Sequence, residues 1–291
     1  MNKIDGYFIN LERSGDRLES MTRQLDELGC SHFIQRFPAV DGALEGPYDN
    51  TGQNGVWACR RSHENVILQS DAESATVILE DDVEISYYFP RVVNEGVVAE
   101  IIRNSPKLDM FFLDCSPFFD QFPLLIRAAE RNMQNRANED ASGADRHQVN
   151  GIAFPDARSV YAFCAAAYVV TPKGKATLRR LFEAYPHAHM PIDIMYRDWI
   201  ASGELKANIT VPFLATPKYM IPSTIEYSEV DQSQLLDERK GRLTGAVRRM
   251  LFAGDPNIDA NAIEPLLCDS IGSPEYRLTM RIYESLWAIA E

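Results

Sequence analysis

The stretch Val77-Ile78-Leu79-Glu80-Asp81-Asp82-Val83-Glu84-Ile85 joins an apolar run to a cluster of acids. Residues 76–79 are β-branched or apolar without interruption, which is typical of a strand buried on both faces of a parallel sheet. Open α/β folds bind ligands at the carboxyl edge of the sheet, where these acids would lie. Carboxylates so close together repel one another, so the cluster indicates a cation site. A solvated acidic turn is the alternative interpretation.

The composition predicts a globular protein without a membrane span. The chain has 291 residues, 45% of them hydrophobic, and its net charge of −13 argues against nucleic acid as a partner. The first residues, MNKIDGYFIN, lack the apolar core of a signal peptide. Cys59, Cys115 and Cys164 lie in apolar stretches, as expected of reduced core thiols. We therefore expect a cytoplasmic location.

The first strand and helix surround a basic turn. Residues 6–11, GYFINL, predict a strand, and a helix follows up to about Gly29. A strand followed directly by a helix is the first unit of a nucleotide-binding α/β fold. The turn carries Arg13 and Arg17, and a cation beside a helix N-terminus can bind a diphosphate. A solvated helix start is the alternative for both arginines.

The remaining pattern alternates strands and helices before a helical C-terminal part. Further strands are predicted at residues 33–42, 109–115, 160–170 and 207–214, and helices at about 55–70, 90–101 and 171–185. We expect a mobile loop at about 116–150, because its second half is polar and lacks an apolar period. The chain then divides into a domain at 1–232 and a helical extension at 233–291.

Three further side chains are candidates for a role in chemistry. Asp114 ends a predicted strand, and Asp193 follows a proline at the start of a helix, where a carboxylate can act as a general base. The alternative for Asp193 is a plain helix cap. His63 lies on the apolar side of its helix, where a histidine is more often a satisfied core residue than a catalyst.

Several stretches together resemble glycosyltransferase family 25, which includes lipooligosaccharide β-galactosyltransferases and collagen galactosyltransferases. They are, in order, FINLERSGDRLESMTRQLDELG, RFPAVDG, NGVWACRRSHENVI, VILEDDVEI, AYVVTPKGKATL and PIDIMYRD. Each block alone is modest, but their succession over about residues 6–200 is specific. The sequence departs from the family pattern at NGVW and in the long polar loop, which leaves the acceptor open.

The resemblance implies an α/β fold of the GT-A nucleotide-sugar transferase type, with a Rossmann-like, mostly parallel sheet. It implies inverting transfer of a hexose, with galactose preferred, from a UDP-sugar to a hydroxyl of a glycan acceptor such as lipooligosaccharide. The family motifs fall on Asn10, Leu11, Arg13 and Arg17, on Cys59, Ser62 and His63, and on Glu80, Asp81 and Asp82. We expect donor contacts from Asn10, Leu11, Arg13, Arg17, His63, Glu80 and Asp81.

The residues support such chemistry without the resemblance. A divalent metal, with Mn²⁺ expected, would neutralise the leaving diphosphate, with Asp82 as its first ligand and Glu80 as the second. Glu80 or Asp81 would otherwise hold the ribose or order the site. A carboxylate must take the proton of the acceptor hydroxyl as it attacks, and Asp193 is the expected base, with Asp114 in reserve. In-line attack by this hydroxyl inverts the anomeric centre.

Two other functions fit part of the pattern. A nucleotidyltransferase that makes nucleotide sugars would share the fold and the metal carboxylates, but INLERSGDR is too poor in glycine for its phosphate loop. A catalytically inactive module that binds a glycan or a partner would keep the fold, and the intact acid cluster argues against it.

A basic segment at residues 239–252 predicts a peripheral membrane contact. Its cations are Arg239, Lys240, Arg242, Arg248 and Arg249, and its apolar residues are Val247, Met250, Leu251 and Phe252. Such a segment can lie on the anionic inner face of a membrane, within reach of a lipid-linked acceptor. A solvated helix face is the alternative.

Overall fold

The computed structural model describes residues 3–127, 151–186, 190–219, 234–267 and 273–289. The strands are β1 Ile4–Asn10, β2 Ile34–Pro38, β3 Ala75–Glu80, β4 Val83–Ile85, β5 Met110–Phe112, β6 Ser116–Pro117, β7 Tyr161–Phe163, β8 Ala167–Val170, β9 Ala207–Ile209 and β10 Ala215–Pro217. The α-helices are α1 Gly15–Glu27, α2 Gly42–Glu45, α3 Thr51–Gln69, α4 Phe89–Val92, α5 Glu95–Asn104, α6 Pro172–Ala184, α7 Ile192–Ser202, α8 Gln234–Leu251, α9 Ala260–Ile263 and α10 Pro274–Ile289.

A mixed, mostly parallel sheet of six strands forms the centre, in the order β2-β1-β3-β8-β5-β9. β1 is parallel to both of its neighbours, and β5 is parallel to β9. β8 is antiparallel to β3 and to β5, so it is the reversed strand of the sheet. Two small antiparallel pairs, β4 with β10 and β6 with β7, flank it. The predicted α/β architecture with a mostly parallel sheet is confirmed.

The central strands bury side chains on both faces of the sheet, as the uninterrupted apolar run predicts. Ile78 belongs to a core cluster that includes residues of α3, α6 and α7. Its neighbours Val77 and Leu79 belong to a second cluster that includes residues of α1 and α5. Successive strand residues point to opposite faces, so β3 joins two apolar cores while its end stays free to carry polar groups.

Residues 160–170 do not form the single strand that their apolar run predicts. The chain interrupts the run between β7 and β8, where Cys164 has a φ of 82°. A non-glycine residue in this left-handed region is uncommon and marks a sharp change of chain direction. β7 therefore pairs with β6, whereas β8 enters the main sheet.

The first part of the predicted mobile loop contains regular structure. Residues 116–127 contain β6, a 3₁₀ turn at Phe119–Gln121 and helix at 122–127. The remaining part of the predicted loop, 128–150, lies outside the described residues.

The prediction that residues 239–252 form a basic surface segment is wrong for its second half. Arg249 is 1% exposed and pairs with Glu84 at 2.7 Å, and Arg248 pairs with the buried carboxylate of Asp114. Leu251 and Phe252 are buried as well. The composition alone does not show that α8 directs Arg248 and Arg249 inward, against Asp114 after β5 and Glu84 on β4.

No helix within the described ranges is both long and apolar enough to cross a lipid bilayer.

Candidate active site

A pocket of about 360 Å³ opens at the carboxyl ends of β1 and β3. β2 and β3 lie on opposite sides of β1 in the sheet. The connection after β1 therefore runs to one side, and the connection after β2 runs back across to the other. A crevice forms where successive connections diverge in this way, and open α/β sheets bind ligands there. The pocket is lined by Ile9, Leu11, Arg13, Arg17, Ala39, Val40, Gly42, Ala43, Thr51, Gly55, Ala58, Cys59, Ser62, His63, Glu80, Asp81 and Asp82.

Asp81 holds the start of α1 against the end of β3. Its carboxylate accepts a hydrogen bond from Asn10 Nδ2 at 2.7 Å and another from Arg17 Nη1 at 2.9 Å. Asn10 is 1% exposed, donates also to the carbonyl of Ser14 and accepts from Arg36 Nε. Asn10 therefore lies behind the pocket wall, where it fixes the position of Asp81.

Asp82 has the most strained electrostatic environment of the acid cluster. Its Oδ2 lies 3.7 Å from Arg17 Nη1, whereas Oδ1 is buried and has no hydrogen-bond partner among the described residues. Burial and the neighbouring charge of Glu80 raise the pKa of Asp82 to about 7. A buried carboxylate oxygen without a donor is unfavourable. A divalent cation would compensate it, so Asp82 fits the predicted role of metal ligand.

Glu80 lies between Asp82 and a histidine on α3. Its Oε1 is 3.3 Å from Nε2 of His63, and the Glu80 side chain is 33% exposed, whereas His63 is 1% exposed. The other ring nitrogen, Nδ1, is 2.8 Å from the hydroxyl of Tyr168. His63 is thus a satisfied buried residue, as the first alternative predicts, and it also lines the pocket.

Cys59 lies one helical turn before His63 on α3 and lines the same pocket. Burial raises the pKa of its thiol well above the usual range, and the carboxylates of Glu80, Asp193 and Asp82 add to the effect. A protonated thiol is a poor nucleophile. The arrangement therefore disfavours a free thiolate at Cys59, and three carboxylates lie close enough for their charges to act on it.

Arg13, in the turn after β1, and Arg17, in the first turn of α1, line the pocket. Arg17 pairs with Asp81, and its side chain is 16% exposed. Arg13 is 54% exposed and pairs with Asp41, whose side chain also accepts from Ala43 N at the start of α2. The structure brings both predicted cations to the pocket.

Asp193 lies beside the pocket rather than in its wall. Oδ2 accepts a hydrogen bond from Cys164 N at 3.0 Å, and Oδ1 accepts one from Ile194 N at 2.8 Å. Cys164 is the residue in the left-handed conformation between β7 and β8. The two hydrogen bonds fix the orientation of the Asp193 carboxylate, and because the residue is only half-buried a ligand can still reach it.

Asp114 is less accessible than predicted. Its side chain has no exposed surface and pairs with Arg248, and Oδ1 also accepts from Thr216 Oγ1 at 3.0 Å. Both oxygens are therefore engaged within the protein. This placement favours a structural role for Asp114 over the reserve role as base.

Sequence reasoning missed two contributors to the site. Arg248 lies far along the chain, and the sequence around it does not indicate that it pairs with Asp114, which follows β5. Tyr168 sits in an apolar run that predicts only a strand, yet its hydroxyl contacts both His63 and Tyr196. A hydroxyl within a fully buried strand was the available signal, because such a group must find a partner.

Comparison with known proteins identifies the chain's relatives. A family model described as "Glycosyltransferase family 25 (LPS biosynthesis protein)" matches residues 3–196. A Drosophila melanogaster protein named "Glycosyltransferase 25 family member" is 29% identical over 130 residues. That alignment covers 36% of this chain and 20% of the fly protein, so the chain spans a small part of that relative. The family match includes every residue that lines the pocket, whereas Arg248 lies beyond it.

Proposed function

The chain belongs to glycosyltransferase family 25, and from this premise we propose that it transfers a hexose from a UDP-sugar to a hydroxyl of a glycan acceptor. We further propose galactose as the sugar, a lipooligosaccharide-type glycan as the acceptor and inversion at the anomeric carbon. The observation that carries the proposal is the pocket between β1 and β3, in which two arginines face a carboxylate cluster.

We propose the GT-A type for the fold. A mostly parallel sheet with one reversed strand next to β3 supports this assignment, as does a ligand pocket at the carboxyl ends of β1 and β3. A location in the cytoplasm stays a prediction.

The donor would lie with its diphosphate near Arg13 and Arg17. Guanidinium groups hold phosphate oxygens through paired hydrogen bonds, and the N-terminal end of α1 adds the partial positive charge of its free amides. The rest of the pocket lining includes small and apolar residues such as Ala39, Val40 and Ala43. These residues offer space and apolar contact for the uridine.

The metal would be held by Asp82 together with Glu80, and Mn²⁺ is the ion we propose. A divalent ion at this position, when bound, neutralises the charge that develops on the leaving diphosphate. The orphan Oδ1 of Asp82 supports the assignment. Two carboxylates leave most of the coordination to phosphate oxygens and water, so this hard-ion site would be completed only by the donor.

Asp193 would accept the proton of the acceptor hydroxyl as that oxygen attacks the anomeric carbon. The two backbone amides at Cys164 and Ile194 fix its carboxylate but leave lone pairs on both oxygens. Attack from the side opposite the diphosphate inverts the anomeric centre. The bond from the anomeric carbon to the diphosphate breaks, and UDP leaves with the electron pair.

The experiment combines a donor screen with an assay for UDP release. We expect UDP-galactose with Mn²⁺ to raise the melting temperature more than UDP-glucose or UDP-N-acetylhexosamines do, and slow release of UDP to follow. Asp82→Asn should abolish UDP release, whereas Asp26→Asn on the exposed face of α1 should not.

Two results would contradict the proposal in different ways. Binding of a UDP-sugar without any release of UDP, even with a panel of glycan acceptors, would favour an inactive glycan- or partner-binding module. Formation of a UDP-sugar from UTP and a sugar 1-phosphate would favour a nucleotidyltransferase.

A further inference from the structure

A thiol, an imidazole and a carboxylate converge on the α3 side of the pocket. The ligand atoms of Cys59, His63 and Glu80 all lie within 4.8 Å of one another. No other group of three histidine, cysteine or acid side chains in the described part of the chain meets this distance. Cys59 and His63 are four residues apart on one helix, so their side chains share a face, and Glu80 meets them from the end of β3.

The hydrogen bonds around His63 allow the ring to present a lone pair to this cluster. Nδ1 is bonded to the hydroxyl of Tyr168, which in turn contacts the hydroxyl of Tyr196 at 3.2 Å. When Tyr168 donates to Tyr196, it accepts from Nδ1–H, and Nε2 then carries no proton. Histidines that bind metals commonly donate their second ring N–H to an oxygen in this way. The tyrosine pair therefore supplies the support that a metal-binding histidine needs.

We propose that Cys59, His63 and Glu80 form a binding site for a zinc-type divalent cation, distinct in chemistry from the hard-ion site at Asp82. Sulfur and imidazole ligands favour Zn²⁺ over Mn²⁺, which prefers oxygen. Three protein ligands with an open fourth position are typical of zinc sites that face a ligand pocket. The positive ion replaces the thiol proton of Cys59, which leaves as H⁺.

The geometry needs only a small adjustment to close around an ion. Ligand atoms around a tetrahedral zinc lie about 3.3–3.8 Å apart, and His63 Nε2 is already 3.3 Å from Glu80 Oε1. His63 is fixed by its burial and by Tyr168, whereas Glu80 is partly exposed and can turn. The carboxylates of Asp82 and Asp193 act on the same cluster, and their negative field favours a dication.

Glu80 is shared by the two proposed metal sites, but the sites differ in what they require. The zinc-type site is built from three side chains of the protein, so it should bind its ion without any nucleotide sugar. The hard-ion site has two carboxylates and depends on donor phosphates. Metal binding in the absence of donor therefore tests the zinc-type site whether or not the proposed transferase function is correct.

The experiment is a titration of the purified full chain with Co²⁺, which reports thiolate ligation through an absorption band in the near ultraviolet. We expect one Co²⁺ per chain with this band. Zn²⁺ should bleach the band because it binds such sites more tightly than Co²⁺, whereas excess Mn²⁺ should not. Cys59→Ser should abolish the band, and Cys30→Ser, which changes a buried thiol in the segment between α1 and β2, should retain it.

Two further variants keep the test decisive if Cys59→Ser does not fold. Glu80→Gln changes a partly exposed ligand and should retain the thiolate band while weakening Co²⁺ binding at least about 10-fold. Tyr168→Phe removes the hydroxyl that positions His63 and should weaken binding by about 10–100-fold.

Three outcomes would overturn the proposal. They are the absence of the band in the wild-type protein, its persistence in folded Cys59→Ser, and its loss on addition of Mn²⁺.

Discussion

The guanidinium of Arg248 on α8 pairs with the carboxylate of Asp114, which follows β5 and has no exposed surface. Arg248 Nε lies 3.2 Å from Asp114 Oδ1, and Nη2 of the same arginine lies 3.0 Å from the sulfur of Cys164. The pair joins the helical C-terminal part of the chain to the strand ends around the pocket.

Replacement of Arg248 by methionine should strongly destabilise the fold. The substitution leaves a buried carboxylate without its cation, and breaking a buried pair in this way costs about 3–5 kcal/mol. Urea unfolding of Arg248→Met at neutral pH measures the loss. Lys240→Met is the matched control on the same helix, because Lys240 is exposed and should change stability by less than about 0.5 kcal/mol.

The double variant shows whether the loss arises from the pair itself. Adding Asp114→Asn to Arg248→Met removes the uncompensated charge and should recover part of the stability. Equal losses in Arg248→Met and Lys240→Met would contradict the structural role of the pair.

The sequence predicted the central part of the fold because the apolar pattern reports local burial. The run before Glu80 identified β3, and GYFINL identified β1, since both strands are buried on two faces. The pattern did not predict the break at Cys164, because a left-handed residue inside an apolar run leaves no periodic signal. The inward packing of Arg248 and Arg249 was also missed, because the acids that pair with them lie far away in the sequence.

The candidate site was predictable where its residues follow strand ends. Arg17, Asp81 and Asp82 meet because β1 and β3 are parallel neighbours whose carboxyl ends share one edge. The sequence could not show that Asp81 is already paired whereas Asp82 keeps an orphan oxygen. That difference depends on side-chain orientation at the pocket, which spacing along the chain does not determine.

Asp82→Asn should stabilise the metal-free protein at alkaline pH. The pKa of Asp82 is raised to about 7, whereas an unfolded aspartate has a pKa of about 3.9. Between these values the folded state binds the proton more tightly, so the stability of the wild type falls as pH rises from about 4 to about 7. Asp82→Asn lacks this loss, and at pH 8 its free energy of unfolding should exceed that of the wild type by about 1–3 kcal/mol.

Urea unfolding at pH 5 and at pH 8 measures this effect, and the advantage of Asp82→Asn should grow between the two. Asp81→Asn should instead destabilise the protein, because it weakens contacts to Asn10 and Arg17. An advantage of Asp82→Asn that stays constant between pH 5 and pH 8, or shrinks, would show that the pKa of Asp82 is not raised in the folded protein.

Asp193→Asn should lower turnover far more than it weakens donor binding. A general base acts in the transition state, so its loss should reduce kcat by about 10²–10⁴-fold. Steady-state kinetics gives the turnover, and calorimetry gives the affinity for the UDP-sugar. Asp198→Asn changes an exposed acid on the same helix and serves as the control. A parallel loss of donor affinity in Asp193→Asn would make this carboxylate a binding residue instead.

Arg17→Gln should weaken donor binding. The guanidinium lies at the pocket beside Asp81 and Asp82, and loss of a charge-assisted contact to a phosphate should reduce affinity by about 10–100-fold. Titration calorimetry with UDP measures the change, and the difference between variant and wild type should shrink in high salt. Arg23→Gln lies on the exposed face of the same helix and should bind UDP normally. Unchanged affinity in Arg17→Gln would remove Arg17 from the donor site.

The reversed strand β8 also affects the order in which the sheet can be completed during synthesis. β8 separates β3 from β5 in the sheet, although β5 comes earlier in the chain. Until residue 170 has left the ribosome, β3 therefore has an open edge next to the apolar residues Val77, Ile78 and Leu79. Such edges pair readily with other chains. Nascent chains that stop before β8 should thus aggregate, whereas chains that include it have closed this edge.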